Sequence, residues 1–282
     1  MPGPLVTTQW LEERLDDPSV RVLDICERDV YVRGHAPGAF WVGWEDHLCV
    51  TVNGVQHMAP LPDHAAAIFA AWNITPDTFV VAMDDRFSSR SARAYWLLRY
   101  YGHQPVAILD GARQTWLAEN RPVTTVEPRP GSGRYPVKPP DSTINAAWSE
   151  VLRASSEGSA SLLDVRRASE FTGEEVRSKH GGHIPSARHL PCEAAMRDDW
   201  SFKTAAELDE IYGNVGGTAE EPVIAYCQGG VRAAHTWFVL NQLLGRENVK
   251  NYDGSWAEWG NRDDLPIERG GDVYSGQLPP VE

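Results

Sequence analysis

The chain has 282 residues, a formal net charge of −13 and a hydrophobic fraction of 42%. This length predicts about two domains, each large enough to bury a core without disulfides or a metal, and the composition excludes a mostly disordered chain. The acidic balance argues against nucleic-acid binding, and no apolar run reaches the roughly 18 residues that a membrane span needs. The N-terminal residues 1–4 begin neither a signal nor a transit pattern, so we expect an unprocessed cytoplasmic protein.

Short apolar runs alternate with helical patterns along the first half of the chain. The residues predict a strand over 78–83, a helix over 91–101 and a further strand over 106–109. A strand, a loop, a helix and a parallel strand in this order are typical of an α/β domain. The first half is therefore predicted to be an α/β unit around a mainly parallel sheet.

The second half follows the same order of elements. Strands are predicted over 161–165 and 222–226, and a helix over 233–244 ends before Gly245. Residues 106–111 and 249–254 match, and a tryptophan follows five residues after each, at a constant offset of 143. A repeat of this length indicates a duplicated domain.

The two halves differ at one insertion, and a Pro/Gly-rich stretch separates them. Gly34-His35-Ala36-Pro37 matches Gly182-His183-Ile184-Pro185, but the offset changes there and implies an insertion near residues 173–181. The stretch has no regular periodicity and is interpreted as a linker. The predicted division is an N-terminal domain over 1–123, a linker over 124–140 and a C-terminal domain over 141–282.

The four cysteines form neither a disulfide framework nor a zinc-binding pattern, so no metal is predicted. Cys26, Cys49 and Cys192 are interpreted as small buried core residues. Cys227 differs because it stands at the carboxyl end of a predicted buried strand, the edge at which parallel α/β sheets bind ligands. Six residues follow it before the helix continues: Gln228, Gly229, Gly230, Val231, Arg232 and Ala233.

This loop has the composition of an anion cradle around a reactive thiol. The two glycines allow a tight curl that turns several N–H groups inward, and a helix N-terminus follows directly. Together with the permanent charge of Arg232, these groups favour the thiolate of Cys227 at neutral pH. We therefore predict Cys227 as the catalytic nucleophile and residues 228–233 as the substrate-binding loop. Local attraction of this kind also allows an acidic protein to bind an anion.

The tandem halves, the Cys227–Ala233 loop and the segment 251–260 resemble the rhodanese family of sulfurtransferases over nearly the whole chain. The resemblance implies two tandem rhodanese-like α/β domains, each with a central, mainly parallel five-stranded sheet flanked by helices. It also implies one active site, in the C-terminal half. There Cys227 would take a sulfane sulfur from a small anionic donor as a persulfide and pass it to cyanide or a thiol. No cofactor is implied, and the oligomeric state stays open.

The first half provides an internal comparison for the loop. The offset of 143 places Asp84 at the position of Cys227. A carboxylate cannot form a persulfide, so the N-terminal domain is predicted to be catalytically inactive. Two interpretations stay open for the nearby arginines Arg86, Arg90 and Arg93. The preferred one is that they are solvated or paired with Asp84 and Asp85, and the alternative is that they guide anions toward the domain interface. The shared His35 and His183 are interpreted as scaffold residues, and His235 is a weaker candidate for tuning Cys227.

Thiosulfate is the preferred donor, and 3-mercaptopyruvate is the alternative. Mercaptopyruvate-type relatives usually carry a serine at the position of Gly229, whereas Arg232 suits a sulfonate-like oxyanion. Some relatives carry a substrate-binding arginine where this chain has Glu170. A persulfide carrier that serves a protein acceptor stays open as a further alternative. A cysteine phosphatase is unlikely because its loop has one residue more between cysteine and arginine.

Overall fold

A computed structural model describes residues 2–216 and 221–280. The chain forms two compact units, each described here by itself. The first comprises residues 1–50, 59–141 and 198–202, and the second comprises residues 51–58, 142–197 and 203–282. The segment 51–58 therefore belongs to the second unit although it lies in the first half of the sequence, and the segment 198–202 has the opposite assignment.

The elements follow the predicted alternation of strands and helices. In the first half they are β1 (Leu5–Val6), α1 (Thr8–Glu12), β2 (Val20–Ile25), α2 (Arg28–Arg33), β3 (Phe40–Trp41), α3 (Trp44–His47), β4 (Val50–Val52), β5 (Val55–Met58), α4 (Pro62–Ala71), β6 (Phe79–Asp84), α5 (Ser89–Tyr100), β7 (Val106–Leu109) and α6 (Ala112–Ala118). In the second half they are α7 (Trp148–Glu157), β8 (Ser161–Asp164), α8 (Ala168–Thr172), β9 (Arg188–His189), a 3₁₀ helix (Cys192–Ala195), α9 (Ala205–Gly213), β10 (Val223–Tyr226), α10 (Val231–Trp237), a π-helix (Phe238–Leu243), β11 (Val249–Asn251) and α11 (Ser255–Trp259).

The first unit contains a parallel sheet with the strand order β1-β7-β6-β2-β3. Its central strand, β6, is buried along its whole length. Burial on both faces explains why its sequence, FVVAMD, is continuously apolar up to its last residue. The predicted strand over 106–109 is found with the same bounds as β7.

The second unit contains a parallel sheet with the order β11-β10-β8-β9. A fifth position is occupied only by an isolated parallel bridge between Asn145 and Asn251. Around this bridge the amide of Asn251 donates to Ile144 and the amide of Ala146 donates back to Asn251. The predicted α/β fold with parallel sheets is confirmed, and the outermost strand of the second sheet is reduced to this bridge.

The stretch predicted as a linker is anchored along the first unit. The amide of Tyr135 donates to the carbonyl of Ala66, and the Tyr135 ring lies 5.4 Å from the ring of Phe69. Tyr135 is only 5% exposed, so an aromatic anchor offsets the lack of regular structure in this segment. None of the helices in residues 2–216 and 221–280 combines the length and apolar composition needed to cross a bilayer.

Candidate active site

The second unit positions Cys227 immediately after β10, at the carboxyl edge of its sheet. The residue is 1% exposed. Its amide donates to the hydroxyl of Ser255 at 3.1 Å, and the amide of Gly230 donates to the same oxygen at 3.1 Å. Ser255 in turn donates to the carbonyl of Tyr252 at 2.7 Å. One hydroxyl therefore draws the two ends of the loop together.

Backbone bonds from the following segment fix the loop carbonyls. The amides of Trp256 and Ala257 donate to the carbonyls of Cys227 and Gln228, at 3.0 and 2.8 Å. The side-chain amide of Asn251 donates to the carbonyl of Gly230 at 3.2 Å. Three loop carbonyls thus accept hydrogen bonds from β11 and α11, so these bonds fix the loop without using its N–H groups as donors.

Within the described parts of the chain, five of the loop amides form no hydrogen bond: Gln228, Gly229, Val231, Arg232 and Ala233. The last three belong to the first turn of α10, where helix amides have no intrahelical partner. Successive amides in a curled loop form a concave site for anions. The arrangement can therefore hold negative charge on a sulfur at Cys227 or on an incoming oxyanion.

The first unit shows the same cradle filled by its own side chain. The carboxylate of Asp84 accepts the amides of Arg86, Ser88 and Ser91 at 2.9, 3.0 and 2.7 Å. Arg86 and Ser88 correspond to Gly229 and Val231 at the offset of 143. Burial raises the pKa of Asp84, and the three amides oppose that shift. The repeat therefore shows that this loop geometry surrounds an anionic group with amides.

The two loop glycines are required for different reasons. Gly230 has φ of 72°, in the left-handed region that favours glycine. A Cβ at Gly229 would lie 2.7 Å from Cβ and 2.8 Å from Nδ1 of His57, on β5. His57 belongs to the 51–58 segment of the second unit, so this contact brings a distant part of the sequence onto the loop.

His57 has a counterpart in the repeat that sequence reasoning did not find. The offset of 143 pairs it with Trp200, and both have φ of 63°. In the first unit, the ring of Trp200 lies 6.4 Å from that of Phe87, which corresponds to Gly230. Each unit therefore has an aromatic side chain packed against the loop that follows Cys227 in the second unit or Asp84 in the first.

We expect Gly229→Ala to slow sulfur transfer by about tenfold or more, because the new methyl group would clash with the His57 Cβ and displace the loop. The double variant Gly229→Ala/His57→Gly should recover most of the loss, since His57 has a positive φ that glycine adopts readily. Steady-state rates of both variants, with His57→Gly as the control, measure the effect. Wild-type activity in Gly229→Ala would contradict the close contact.

Arg232 forms a buried ion pair with Glu170 in the first turn of α8. Its two terminal nitrogens lie 2.7 and 2.9 Å from the two carboxylate oxygens, and the Glu170 side chain is 1% exposed. Burial alone would raise the pKa of Glu170, but the hydrogen bonds and charge of Arg232 lower it to about 2. Burial would likewise lower the pKa of Arg232, and Glu170 raises it above its ordinary value. Arg232 thus lies beside the loop as half of an ion pair.

The insertion inferred near residues 173–181 packs against the same loop. The Gln228 side-chain amide donates to the carbonyl of Arg177 at 3.4 Å and to the hydroxyl of Ser178 at 3.1 Å. The Arg177 guanidinium lies 3.3 Å from Glu170, and its side chain is 45% exposed. Sequence reasoning missed Arg177 as a candidate, although the insertion occurs only in the half that keeps the cysteine.

The two histidines at matching positions of the repeat contact backbone carbonyls and aromatic rings. Nδ1 of His35 lies 3.0 Å from the carbonyl of Tyr31, and Nδ1 of His183 lies 2.9 Å from that of Phe171. The ring of His35 also stacks on the ring of Tyr31, at 3.7 Å between centroids, and the ring of His183 stacks on that of Phe171, at 3.8 Å. These contacts support their interpretation as scaffold residues.

His235 is fully buried, and one ring nitrogen lies 3.3 Å from the sulfur of Met196. Burial lowers its pKa to about 3, so it is neutral at pH 7. Burial also raises the pKa of the Cys192 thiol well above its ordinary value. The four cysteines, including Cys26 and Cys49, are all buried and unbridged.

Two arginines near the loop that follows Asp84 form ion pairs or hydrogen bonds within the first unit. Arg90 forms ion pairs with Asp85 at 3.2 Å and Glu27 at 3.0 Å. Arg93 is fully buried and donates to the carbonyl of Leu48. Among residues 2–216 and 221–280, no three His, Cys, Asp or Glu side chains come together in a way that could bind a metal ion.

Comparison with known proteins agrees with this architecture. The model of the rhodanese-like domain matches residues 7–119 and 147–262. The sulfur carrier protein TtuD of Thermus thermophilus is 38% identical over 95% of this chain and 98% of its own length. A thiosulfate sulfurtransferase of Corynebacterium glutamicum is 38% identical over 95% of this chain and 91% of its own length.

A solved structure of a sulfurtransferase has the same fold. SseA of Escherichia coli, described as a 3-mercaptopyruvate sulfotransferase, superimposes with a TM-score of 0.78 at 28% identity, over 90% of this chain and 99% of SseA. A duplicated parallel α/β unit with one intact cysteine loop is the architecture of a tandem sulfurtransferase. The chain belongs to the rhodanese-like family, with both of its repeats matched.

Proposed function

We propose that the protein transfers a sulfane sulfur from thiosulfate to cyanide or a thiol through a persulfide on Cys227. The observation that carries this proposal is a buried cysteine at the end of a parallel strand, followed by a curled loop in which five amides have no hydrogen bond within the described residues. Such amides stabilise an anionic sulfur before and after the transfer. In the first unit, Asp84 fills the corresponding cradle, so we propose that only the domain over residues 141–282 is catalytic.

The proposed reaction has two balanced steps. The thiolate of Cys227 attacks the outer sulfur of thiosulfate, a new S–S bond forms, and sulfite leaves with the electron pair of the broken S–S bond. The acceptor, cyanide or a thiolate, then attacks the terminal sulfur of the persulfide. Thiocyanate or an acceptor persulfide leaves, and the Cys227 thiolate is restored.

Two features support thiosulfate over 3-mercaptopyruvate. Mercaptopyruvate-type relatives usually have serine at the position of Gly229. Here the residue is glycine, and His57 lies so close that a serine side chain would not fit. The guanidinium of Arg177 is 45% exposed, lies 3.3 Å from Glu170 and suits the planar recognition of an oxyanion. Relatives at 35 to 38% identity carry the name thiosulfate sulfurtransferase, mostly as putative assignments.

A second candidate is a sulfur carrier that delivers its persulfide to a protein. The observation that favours it is the 38% identity to the sulfur carrier protein TtuD over nearly the full length of both chains. The chemistry of loading Cys227 is the same in both roles. The two differ in the acceptor, which the loop contacts do not specify.

Steady-state kinetics with each donor against each acceptor test this function. Thiosulfate with cyanide should give a higher kcat/KM than 3-mercaptopyruvate with cyanide, and parallel double-reciprocal lines should indicate the two-step mechanism. A preference for 3-mercaptopyruvate would overturn the donor assignment. Ready loading by thiosulfate with slow release to both cyanide and small thiols would favour the carrier role.

A further inference from the structure

We propose that Glu170 determines donor charge at the active site: its carboxylate disfavours dianionic donors such as thiosulfate relative to monoanionic hydropersulfides. This inference rests on the proposed persulfide chemistry at Cys227. It assigns to Glu170 a positioning role that acts through Arg232. It also adds a second class of sulfur donor, the anion of an alkyl hydropersulfide. The Cys227 thiolate attacks the outer sulfur of this donor, a new S–S bond forms, and the alkyl thiolate leaves with the electron pair of the broken S–S bond.

The geometry makes Glu170 a fixed and fully bound carboxylate. It accepts two hydrogen bonds from Arg232, a third from Arg177 and a fourth from the backbone amide of Arg167 at 3.1 Å. All four donors point at a side chain that is 1% exposed. A carboxylate with this many partners stays ionised and cannot rotate away from the loop.

The consequence falls on the one cation inside the cysteine loop. Arg232 lies five residues after Cys227 in the loop, but both of its terminal nitrogens are directed to Glu170. The pair is neutral as a whole, so Arg232 supplies little net attraction to an anion that approaches Cys227. The guanidinium of Arg177 also lies 3.3 Å from Glu170, and its side chain is 45% exposed.

A neutralised pair affects a dianion and a monoanion differently. Each elementary charge of the donor is repelled by the charge of Glu170. Removal of the Glu170 charge should therefore lower the barrier to loading by dianionic thiosulfate about twice as much as the barrier to loading by a monoanion. For charges within a Debye length of each other, at an effective dielectric constant of about 20, this difference corresponds to about tenfold in relative rate. The change should appear as a ratio between donors, whereas an altered loop shape would affect both donors together.

The test measures loading of Cys227 by rapid quench and intact mass, with thiosulfate and with ethyl hydropersulfide as the donors. In Glu170→Gln, the ratio of the thiosulfate rate constant to the hydropersulfide rate constant should rise about tenfold. The matched control is Glu175→Gln, which removes an acidic charge of the same segment that pairs with Arg167 at 3.8 Å. Its ratio should stay within about twofold of wild type.

A neutral double variant, Glu170→Gln/Arg232→Gln, keeps the test decisive even if the single variant folds poorly. Because both charges are removed together, its donor ratio should stay within about threefold of wild type. Equal changes for both donors in Glu170→Gln, a fall in the ratio, or a large shift in the double variant would overturn the inference. Failure of both donors to load the wild-type protein would instead contradict the proposed function itself.

Discussion

Replacing Cys227 with serine is expected to abolish sulfur transfer. The hydroxyl group is close in size to the thiol, so the Cys227 amide should still donate to Ser255, and its carbonyl should still accept from the amide of Trp256. An alcohol cannot hold a sulfane sulfur, and its oxygen is a far weaker nucleophile at neutral pH than a thiolate. Turnover with thiosulfate and cyanide should fall to the uncatalysed rate.

The matched control for this variant is Cys192→Ser. Cys192 is equally buried, and its thiol donates to Glu193 at 3.4 Å. Its serine variant should keep substantial sulfur transfer, because Cys192 does not follow a strand into the amide loop. Turnover retained by Cys227→Ser, or lost only in Cys192→Ser, would refute Cys227 as the sulfur-carrying residue.

The second large effect is expected from Arg232→Ala, which leaves the Glu170 carboxylate buried without its main partner. Breaking a buried ion pair from one side costs about 3–5 kcal/mol of the free energy of unfolding. The loop should lose its shape, so loading by thiosulfate and discharge to cyanide should both slow. Urea denaturation at pH 7 measures the loss. Stability within about 1 kcal/mol of wild type would show that the pair is not structurally important.

The pH dependence of this effect has a definite sign. In the wild type, the pKa of Glu170 is lowered to about 2 from its ordinary value of 4.5, so its stabilising contribution is complete above pH 4.5 and is lost as the pH falls toward 2. In Arg232→Ala, the loss of its main partner should raise the pKa of Glu170 above its value in the wild type. The difference in stability should therefore be largest at pH 7 and shrink by pH 4. The apolar double variant Glu170→Leu/Arg232→Met should recover much of the stability at pH 7.

The features that local patterns could predict are those that depend on short segments. The apolar run 106–109 lies between turn residues and becomes β7 with the same bounds. The residue after the predicted strand 222–226 is Cys227, and β10 ends at Tyr226. Repeated motifs at one offset indicated a duplication, and the drift in that offset marked the insertion that packs against Gln228.

The features that could not be predicted depend on contacts between distant residues. Ser255 lies 28 positions after Cys227, and its role could be suspected only from its place after the Asp253-Gly254 turn. Glu170 lies 62 positions before Arg232, so no local pattern indicates that the guanidinium of Arg232 is already paired. His57 lies in the other half of the sequence, and its contact at Gly229 depends on the assignment of residues 51–58 to the second unit.

Intact mass spectrometry after mixing with thiosulfate tests the central claim most directly. We expect one protein species heavier by about 32 Da, the mass of a single sulfur atom, which cyanide removes and which Cys227→Ser does not form. Fragmentation should place the added sulfur on Cys227. A protein whose mass does not change, or an added sulfur on Cys26, Cys49 or Cys192, would contradict the account.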